Sequence, residues 1–437
     1  MTRTASRPAP WFNLARHDVR STLPASLQAI MQNGLLERMF QDALFPDLVF
    51  PSLADSEPWS GGVGDTSIMT RTGLMTPDPT PITGSDAATA TYSVEQWQVT
   101  MDQYGKSVDT NMMQSAMTLA NKYLRDVQTL GLHAGQTLNR LARNKLFAGY
   151  AGGRTWCTTA ATTDTSIIVN DATGFTKVLV NGVPTAVSGT NPLPVTIAGV
   201  ANTVTAVNVG TNTLTLGTTR VDVVGDYVLA GNAPVSFRAG TARNSDYDMA
   251  STDVATLALY RQAVTRLRKM NVPTVNGNYI AHVTPDTISQ LFADADWKQA
   301  YQGRGDSDVY KNLSIGTFGG LDWVQQNELP TVLGGSAGNV NIARTLVLGD
   351  GALVQAPFAE MGSLLAGTDV QDVPSVRMIG PASGVQVALI VRPPQDRLQQ
   401  NLSTTWSWIG DFGVPSDSTT GDAALFKRAC MVEHAFV

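Results

Sequence analysis

The chain is poor in cysteine: among its 437 residues only Cys157 and Cys430 carry a thiol, in different halves of the sequence and in no metal or redox spacing. A disulfide-stapled scaffold is excluded and a reducing compartment is implied. Histidine is nearly as scarce. His17, His133, His282 and His434 are dispersed, and no Gly-x-Ser-x-Gly elbow or other nucleophile context accompanies them, so each reads as structural. Charged residues make up only 15%, against roughly 25% in soluble proteins at large. The net charge of -6 argues against a general nucleic-acid binder, which needs a basic patch to release phosphate counterions. No apolar run approaches the roughly 18 residues of a membrane span, and no signal-peptide pattern opens the chain.

Phosphate and metal chemistry are missing in the same way. There is no Gly-x4-Gly-Lys-Ser/Thr loop, and Gly316-Thr317-Phe318-Gly319-Gly320 lacks the lysine, so it reads as a turn between strands. Asp294 with Asp296, and Asp306 with Asp308, have neither EF-hand spacing nor a histidine partner and read as loop or capping carboxylates. Trp59, Trp97, Trp297, Trp323, Trp406 and Trp408 are not interleaved with Lys or Arg, as a stacking groove for single strands requires. They read as core or interface anchors. Catalytic, cofactor-binding and metal-binding residues are therefore expected to number none. What is abundant is Thr, Asn, Gln and Gly beside a hydrophobic share of 43%. A polar surface low in charge suits contact with other proteins, because desolvating charge is expensive.

Two or three domains are expected at this length. Residues 27 to 53 carry a helical pattern ending near Pro46, with Leu27, Ile30, Leu35, Met39 and Leu44 as its buried side. Two strands follow, Thr66 to Thr72 and Thr91 to Tyr104, the second alternating through Tyr92, Val94, Gln96 and Gln98. The second strand would reach about 46 Å at roughly 3.3 Å per residue, and the hairpin has no private core, so a neighbouring subunit is its natural support.

From Met112 to about Ala148 the spacing of Leu119, Tyr123, Val127, Leu130, Ala134, Leu138 and Leu141 predicts one helix of about 55 Å. Gly131 and Gly135 within it predict close packing or a bend. Between Cys157 and about Gly240 the composition turns to Thr, Val, Asn and Gly. Short alternating runs recur there at 166–169, 177–180, 194–197, 203–209, 213–216 and 226–229, with Asn181-Gly182 as a turn. This is an inserted all-β module. Beyond it, Ser251-Thr252-Asp253 predicts a helix cap before Leu257, Tyr260, Val264 and Leu267, and Pro273 a stop. A strand is expected from Tyr279 to Val283, and a helix from Thr284-Pro285-Asp286 toward Phe292. Further strands are expected at 321–325, 345–348, 375–379, 385–391 and 404–409. Mixed elements without βαβ repetition predict an α+β class.

Several strings, taken in order, carry a resemblance. They are Gly34-Leu35-Leu36-Glu37-Arg38, Gln103-Tyr104-Gly105-Lys106, Thr137-Leu138-Asn139-Arg140-Leu141, Met270-Asn271-Val272-Pro273, His282-Val283-Thr284-Pro285, Ile315-Gly316-Thr317-Phe318-Gly319-Gly320-Leu321 and Leu346-Val347-Leu348-Gly349-Asp350. With the order of arm, hairpin, long helix and α+β domain, the chain resembles tailed-bacteriophage major capsid proteins of the Hong Kong 97-type coat fold. The resemblance covers most of the chain outside 157 to 240.

It implies an N-terminal arm and helix (1–55), an extended hairpin loop (56–106), and a spine helix of the peripheral domain (107–153). The inserted β-domain (154–243) departs from the family's plain pattern. An axial domain (244–397) and C-terminal strands returning to the peripheral domain (398–437) complete the division. The implied function is non-enzymatic: a virion shell of hexamers and pentamers, icosahedral or prolate, assembled in the bacterial cytoplasm around dsDNA held non-specifically. A portal and a decoration protein are further implied partners, and a membrane is not. An encapsulin-like cellular nanocompartment is the alternative, and a hydrolase on the α+β core a remote third.

The locally basic residues 1 to 20 read first as a mobile arm and second as an arm touching packaged DNA. A separate scaffolding protein is expected, since the chain opens almost directly on the arm. The β-module is expected to fold alone and to sit on the outer surface. Covalent cross-links are not expected, because residues 54 to 105 contain no lysine and Lys106 stands at the hairpin's base, where it should touch its own spine helix.

Overall fold

The structure, a computed structural model, describes residues 35–44, 48–59, 64–73, 75, 77–81, 86, 89–117, 122–301, 316–334, 340–361, 376–380, 384–392, 394, 396–398, 400–417 and 426–436. It is a mixed α+β fold.

The longest helix, Lys122–Ala151, is 30 residues, or about 45 Å at 1.5 Å per residue. It buries Tyr123, Val127, Leu130, Ala134, Leu138, Ala142, Leu146 and Tyr150, a stripe repeating every three or four residues as one helix face requires. That face lies on a sheet whose long strand, Asn401–Gly413, contributes Leu402, Trp406, Trp408 and Phe412 to the same core. Around it the strand order is Ala54–Ser56, Leu353–Pro357, Asn401–Gly413, Val387–Arg392 and Val376–Ile379, with Asp102–Asn111 also paired to Asn401–Gly413. The expected single helix from Met112 is instead a short one, Met112–Met117, and the long one from Lys122. Leu119 lies outside the described residues.

The helix Leu35–Leu44 crosses the long helix at Gly131. A Cβ there would stand 2.7 Å from the Phe40 carbonyl oxygen and 3.1 Å from the Ala43 Cβ, so only glycine allows this approach. The crossing fixes the buried face as Leu36, Phe40 and Leu44. The expected face is corrected by one position: Leu35 is 43% exposed and Met39 only half-buried. Leu27 and Ile30 lie outside the described residues. The chain after this helix is tied down by Asn139, whose Oδ1 accepts from Val49 N at 3.2 Å and Phe50 N at 3.0 Å.

A second sheet runs in the order Ser236–Arg238, Ala429–Phe436, Asn341–Leu348, Tyr279–Val283, Leu321–Gln325 and Thr317–Phe318, with Thr331–Leu333 paired to Asn341–Leu348. Helices Leu257–Lys269, Pro285–Ala293 and Ala295–Tyr301 accompany it. Thr284 caps Pro285–Ala293, its side chain accepting from Thr287 N. The expected cap at Ser251-Thr252-Asp253 does not form. The first helical N–H, of Leu257, instead donates to Asp294 Oδ2 at 2.7 Å, while Asp253 accepts from Arg243 and from Ala250 N.

A third sheet is six-stranded and antiparallel, in the order Arg154–Trp156, Tyr227–Ala230, Leu193–Ile197, Val200–Asn208, Thr213–Asp222 and Ala161–Ile168. It has its own core, including Ile167, Phe175, Leu193, Ile197, Val204 and Leu214. A small hairpin, Lys177–Val180 with Val183–Ala186, turns at Asn181-Gly182 with φ of 52° and 81°, the left-handed pair a tight hairpin turn needs.

Two pairings differ from the sequence reading. The expected strand Thr91 to Tyr104 breaks at Met101. Val94–Thr100 pairs with Thr66–Thr72, whereas Asp102–Asn111 leaves the hairpin and pairs with 401–410. The division at residue 397 also fails. Leu353–Pro357, Val376–Ile379 and Val387–Arg392 join the sheet of the long helix, while Ala429–Phe436 threads the middle of the second sheet. Leu353–Pro357 was not expected as a strand, and Ala429–Phe436, expected among C-terminal strands returning to the peripheral domain, lies in the second sheet.

Candidate assembly surfaces and buried charge

The hairpin has one served face and one unserved face. Met69, Trp97 and Val99 are buried against Val354 and Ala356 of the chain's own sheet, so its base does not depend on a neighbour, contrary to expectation. Glu95 is buried with them, and the buried parity is thus Glu95, Trp97 and Val99 rather than the alternation through Val94, Gln96 and Gln98. Arg71 stands over the Trp97 ring at 5.4 Å and 3.4 Å from Asp55. On the other face Ile68 is 55% exposed and Val94 39%. Beyond Gly73 every described residue up to Ser93 is exposed, among them Met75, Pro77 to Pro81 and Tyr92. Thr80 N donates to Asp78 Oδ1 at 2.9 Å, a local turn that shapes the tip without burying it.

Strand Asp102–Asn111 has a partner on one side only among the described residues. Lys106 sits on it opposite Trp406. Its side chain is exposed rather than held against the long helix.

A buried cluster of charge lies inside the fold. Arg238 meets Glu433 at 2.7 Å and Asp246 at 3.3 Å; Arg344 meets Glu433 at 3.0 Å and also Asp246. This closed ring of two cations and two anions ties strands Ser236–Arg238, Asn341–Leu348 and Ala429–Phe436 to the turn Asp246–Asp248. Burial alone would raise the Asp246 pKa, but Arg344 and Arg238 hold it below the usual range. Glu433, fully buried, is raised by burial. Sequence reading missed the ring; the isolated Glu433 within Ala429–Phe436 was the only local sign of it.

No group of three or more His, Cys, Asp or Glu side chains suited to a metal occurs among the described residues. His133 is exposed and accepts from Trp406 Nε1 at 3.3 Å. His434 Nε2 lies 2.8 Å from Thr287 Oγ1. His282 is fully buried, and its ring centroid lies 4.6 Å from that of Phe50. Neither of its nitrogens has a hydrogen-bond partner among the described residues, and burial pushes its pKa down to about 3. Cys157 and Cys430 are buried and unpaired, their thiols pushed up to about 12 by burial. Asp294 caps a helix as described, with Asp296 N donating to its Oδ1 at 3.4 Å. Gly319 and Gly320, at φ of 67° and 82°, turn Thr317–Phe318 into Leu321–Gln325. His17, Asp306 and Asp308 lie outside the described residues.

The tryptophans divide between cores. Trp406 and Trp408 lie under the long helix, Trp297 and Trp323 meet edge to face at 6.0 Å in the second core, and Trp97 anchors the hairpin. Trp59 bridges to Phe358. No described helix is long and apolar enough to cross a membrane.

No family model matches the chain, and no curated protein matches it. Among solved structures it is similar to the capsid of Ralstonia phage GP4, with 15% identity over 88% of this chain and 87% of that one and a TM-score of 0.48. It is also similar to the capsid asymmetric unit of cyanophage Pam1, with 13% identity, 86% of each chain and a TM-score of 0.46. The mature capsid of bacteriophage PhiM1 is a third, with 11% identity, 87% of this chain and 85% of that one, and a TM-score of 0.42.

Proposed function

We propose that this chain is the major capsid protein of a tailed bacteriophage, a non-enzymatic subunit that tiles with copies of itself into the shell around the dsDNA genome. The hairpin carries this reading. Its base is locked by Trp97 and Val99, while Ile68 on the opposite face of that base and Met75 and Tyr92 beyond the paired strands are exposed to solvent. A two-stranded element that projects an apolar surface is marginal alone and gains support from a second copy.

In this reading the long helix and its sheet, with Asn401–Gly413, make the peripheral domain. The second sheet with its helices, entered by Ala429–Phe436, makes the axial domain that meets around five-fold and six-fold positions. Residues 154–243 are an insertion between them. The partners are other copies in hexamers and pentamers, with a scaffolding protein, a portal, a decoration protein and packaged DNA as further ones. No cofactor is assigned.

Native particles containing the chain provide the test. Closed shells of uniform diameter holding nuclease-protected, genome-length DNA agree with the proposal. An enzyme cargo in place of DNA would move it to a cellular compartment, and a monomer at all concentrations would remove it. Deleting residues 73–90 should leave a folded, soluble subunit that fails to close shells, and normal particles from that deletion would sink the hairpin's role.

A further inference from the structure

The outer edge of the hairpin strand Val94–Thr100 is closed at one residue by two other parts of the chain. Gln96 N donates to Gly182 O at 2.8 Å, and Gln96 O accepts from Ser416 Oγ at 2.7 Å. Gly182 is the turn residue of the β-module's small hairpin, at φ of 81°. A Cβ on it would fall 2.2 Å from the Val94 carbonyl oxygen, so the turn approaches the hairpin backbone as closely as a residue without a side chain allows.

One residue earlier Glu95 is buried, as are Asp417 and Lys427, and both carboxylates act electrostatically on the Lys427 ammonium, Asp417 the more strongly. Lys427 Nζ donates to Asn232 O, a carbonyl of the β-module. Asp417 in turn accepts from Phe426 N at 2.9 Å. Burial pushes the Lys427 pKa down to about 8, Asp417 and Glu95 opposing the fall and Arg154 adding to it.

We infer that the β-module is a brace for the extended hairpin. Its Asn181-Gly182 turn closes the hairpin's strand edge at Gln96, and Lys427 ties module, hairpin and C-terminal segment together, so that the module sets the direction in which the hairpin leaves the body. This gives a task to a segment that a bare shell fold does not need, and it rests on the shell reading only for the purpose of holding that direction. At Gln96 it also covers backbone groups that an unprotected strand edge would offer for non-native pairing. The occupant of that edge is the chain itself.

Residue-level hydrogen exchange on the unassembled full-length subunit tests this without any shell being formed, so its failure is distinguishable from failure of the capsid reading. Two variants are used. Gly182→Ala pushes the turn off Val94, and Lys427→Met removes the ammonium while keeping much of the buried stem. In both, exchange at Gln96 should rise about tenfold, equivalent to about 1.4 kcal/mol of lost local protection, while Val195 and Leu214 in the module core stay protected. Unchanged exchange at Gln96 in both variants overturns the brace. If Gly182→Ala unfolds the module, Lys427→Met decides alone: faster Gln96 exchange over an intact module supports the brace, and unchanged exchange overturns it.

Discussion

His282 allows a prediction whose size follows from its surroundings. It sits in the middle of Tyr279–Val283, every residue of which is buried, and packs on Phe50 with both ring nitrogens unpartnered among the described residues. Desolvation is the sole cause of its depressed pKa, which falls from 6.5 to about 3. The unfolded chain therefore binds a proton between these values that the folded chain refuses. Stability from this group is full above pH 6.5 and is lost as pH falls toward 3. At about 1.36 kcal/mol per pH unit, acidification from neutrality to about pH 4 removes about 3 kcal/mol through this one group.

His282→Leu keeps a similar volume and cannot take up the proton. At pH 7 the variant should be at least as stable as the parent, because two orphaned polar atoms are removed at the expense of one ring contact. Urea unfolding of both proteins at pH 7 and pH 4 gives the double difference, in which His434, the carboxylates and all other titrating groups cancel. The parent should lose about 3 kcal/mol more than the variant. Equal losses in the two proteins would refute the assignment of His282 as a buried neutral group.

Three further outcomes are expected. Gly131→Ala gains helix propensity of about 1 kcal/mol but drives a Cβ to 2.7 Å from the Phe40 carbonyl oxygen. A net loss of about 1 to 2 kcal/mol is expected, read as a lower melting temperature, whereas the same change at an exposed helical position should stabilise. Arg344→Met leaves Glu433 and Asp246 sharing Arg238 alone, and should lower the urea midpoint by the equivalent of about 3 to 5 kcal/mol at unchanged slope. Mature particles boiled in detergent should give a single band near the subunit mass of 46.5 kDa, since the hairpin from 54 to 105 has no lysine to cross-link; a ladder of multiples would contradict this.

Elements bounded by their own chemistry were legible in the sequence. Thr66–Thr72, Lys177–Val180, Tyr279–Val283 and Leu321–Gln325 have the limits their alternation and flanking turns predict, because Gly, Pro and Asn-Gly act on the backbone within two or three residues. The stripe on the long helix from Tyr123 to Leu138 was legible for the same reason: its period is a property of the helix alone. For the buried charge and the hairpin's support, little was visible beyond single odd residues such as Glu433 and Glu95.

What the tertiary structure decided is which distant segments meet. Asp102–Asn111 reads locally as the continuation of a hairpin strand, yet its hydrogen bonds go to 401–410, because backbone groups pair with whichever strand the fold brings alongside. Ala429–Phe436 is a central strand despite Glu433, since Arg238 and Arg344 arrive from two other strands to neutralise it. Leu36 and Phe40, not Leu35 and Met39, face inward because Gly131 lets one helix settle across another at that point. Local sequence sets what an element can be; its register, its buried side and its partners are set by packing between residues hundreds of positions apart, and no window of neighbouring residues contains that information.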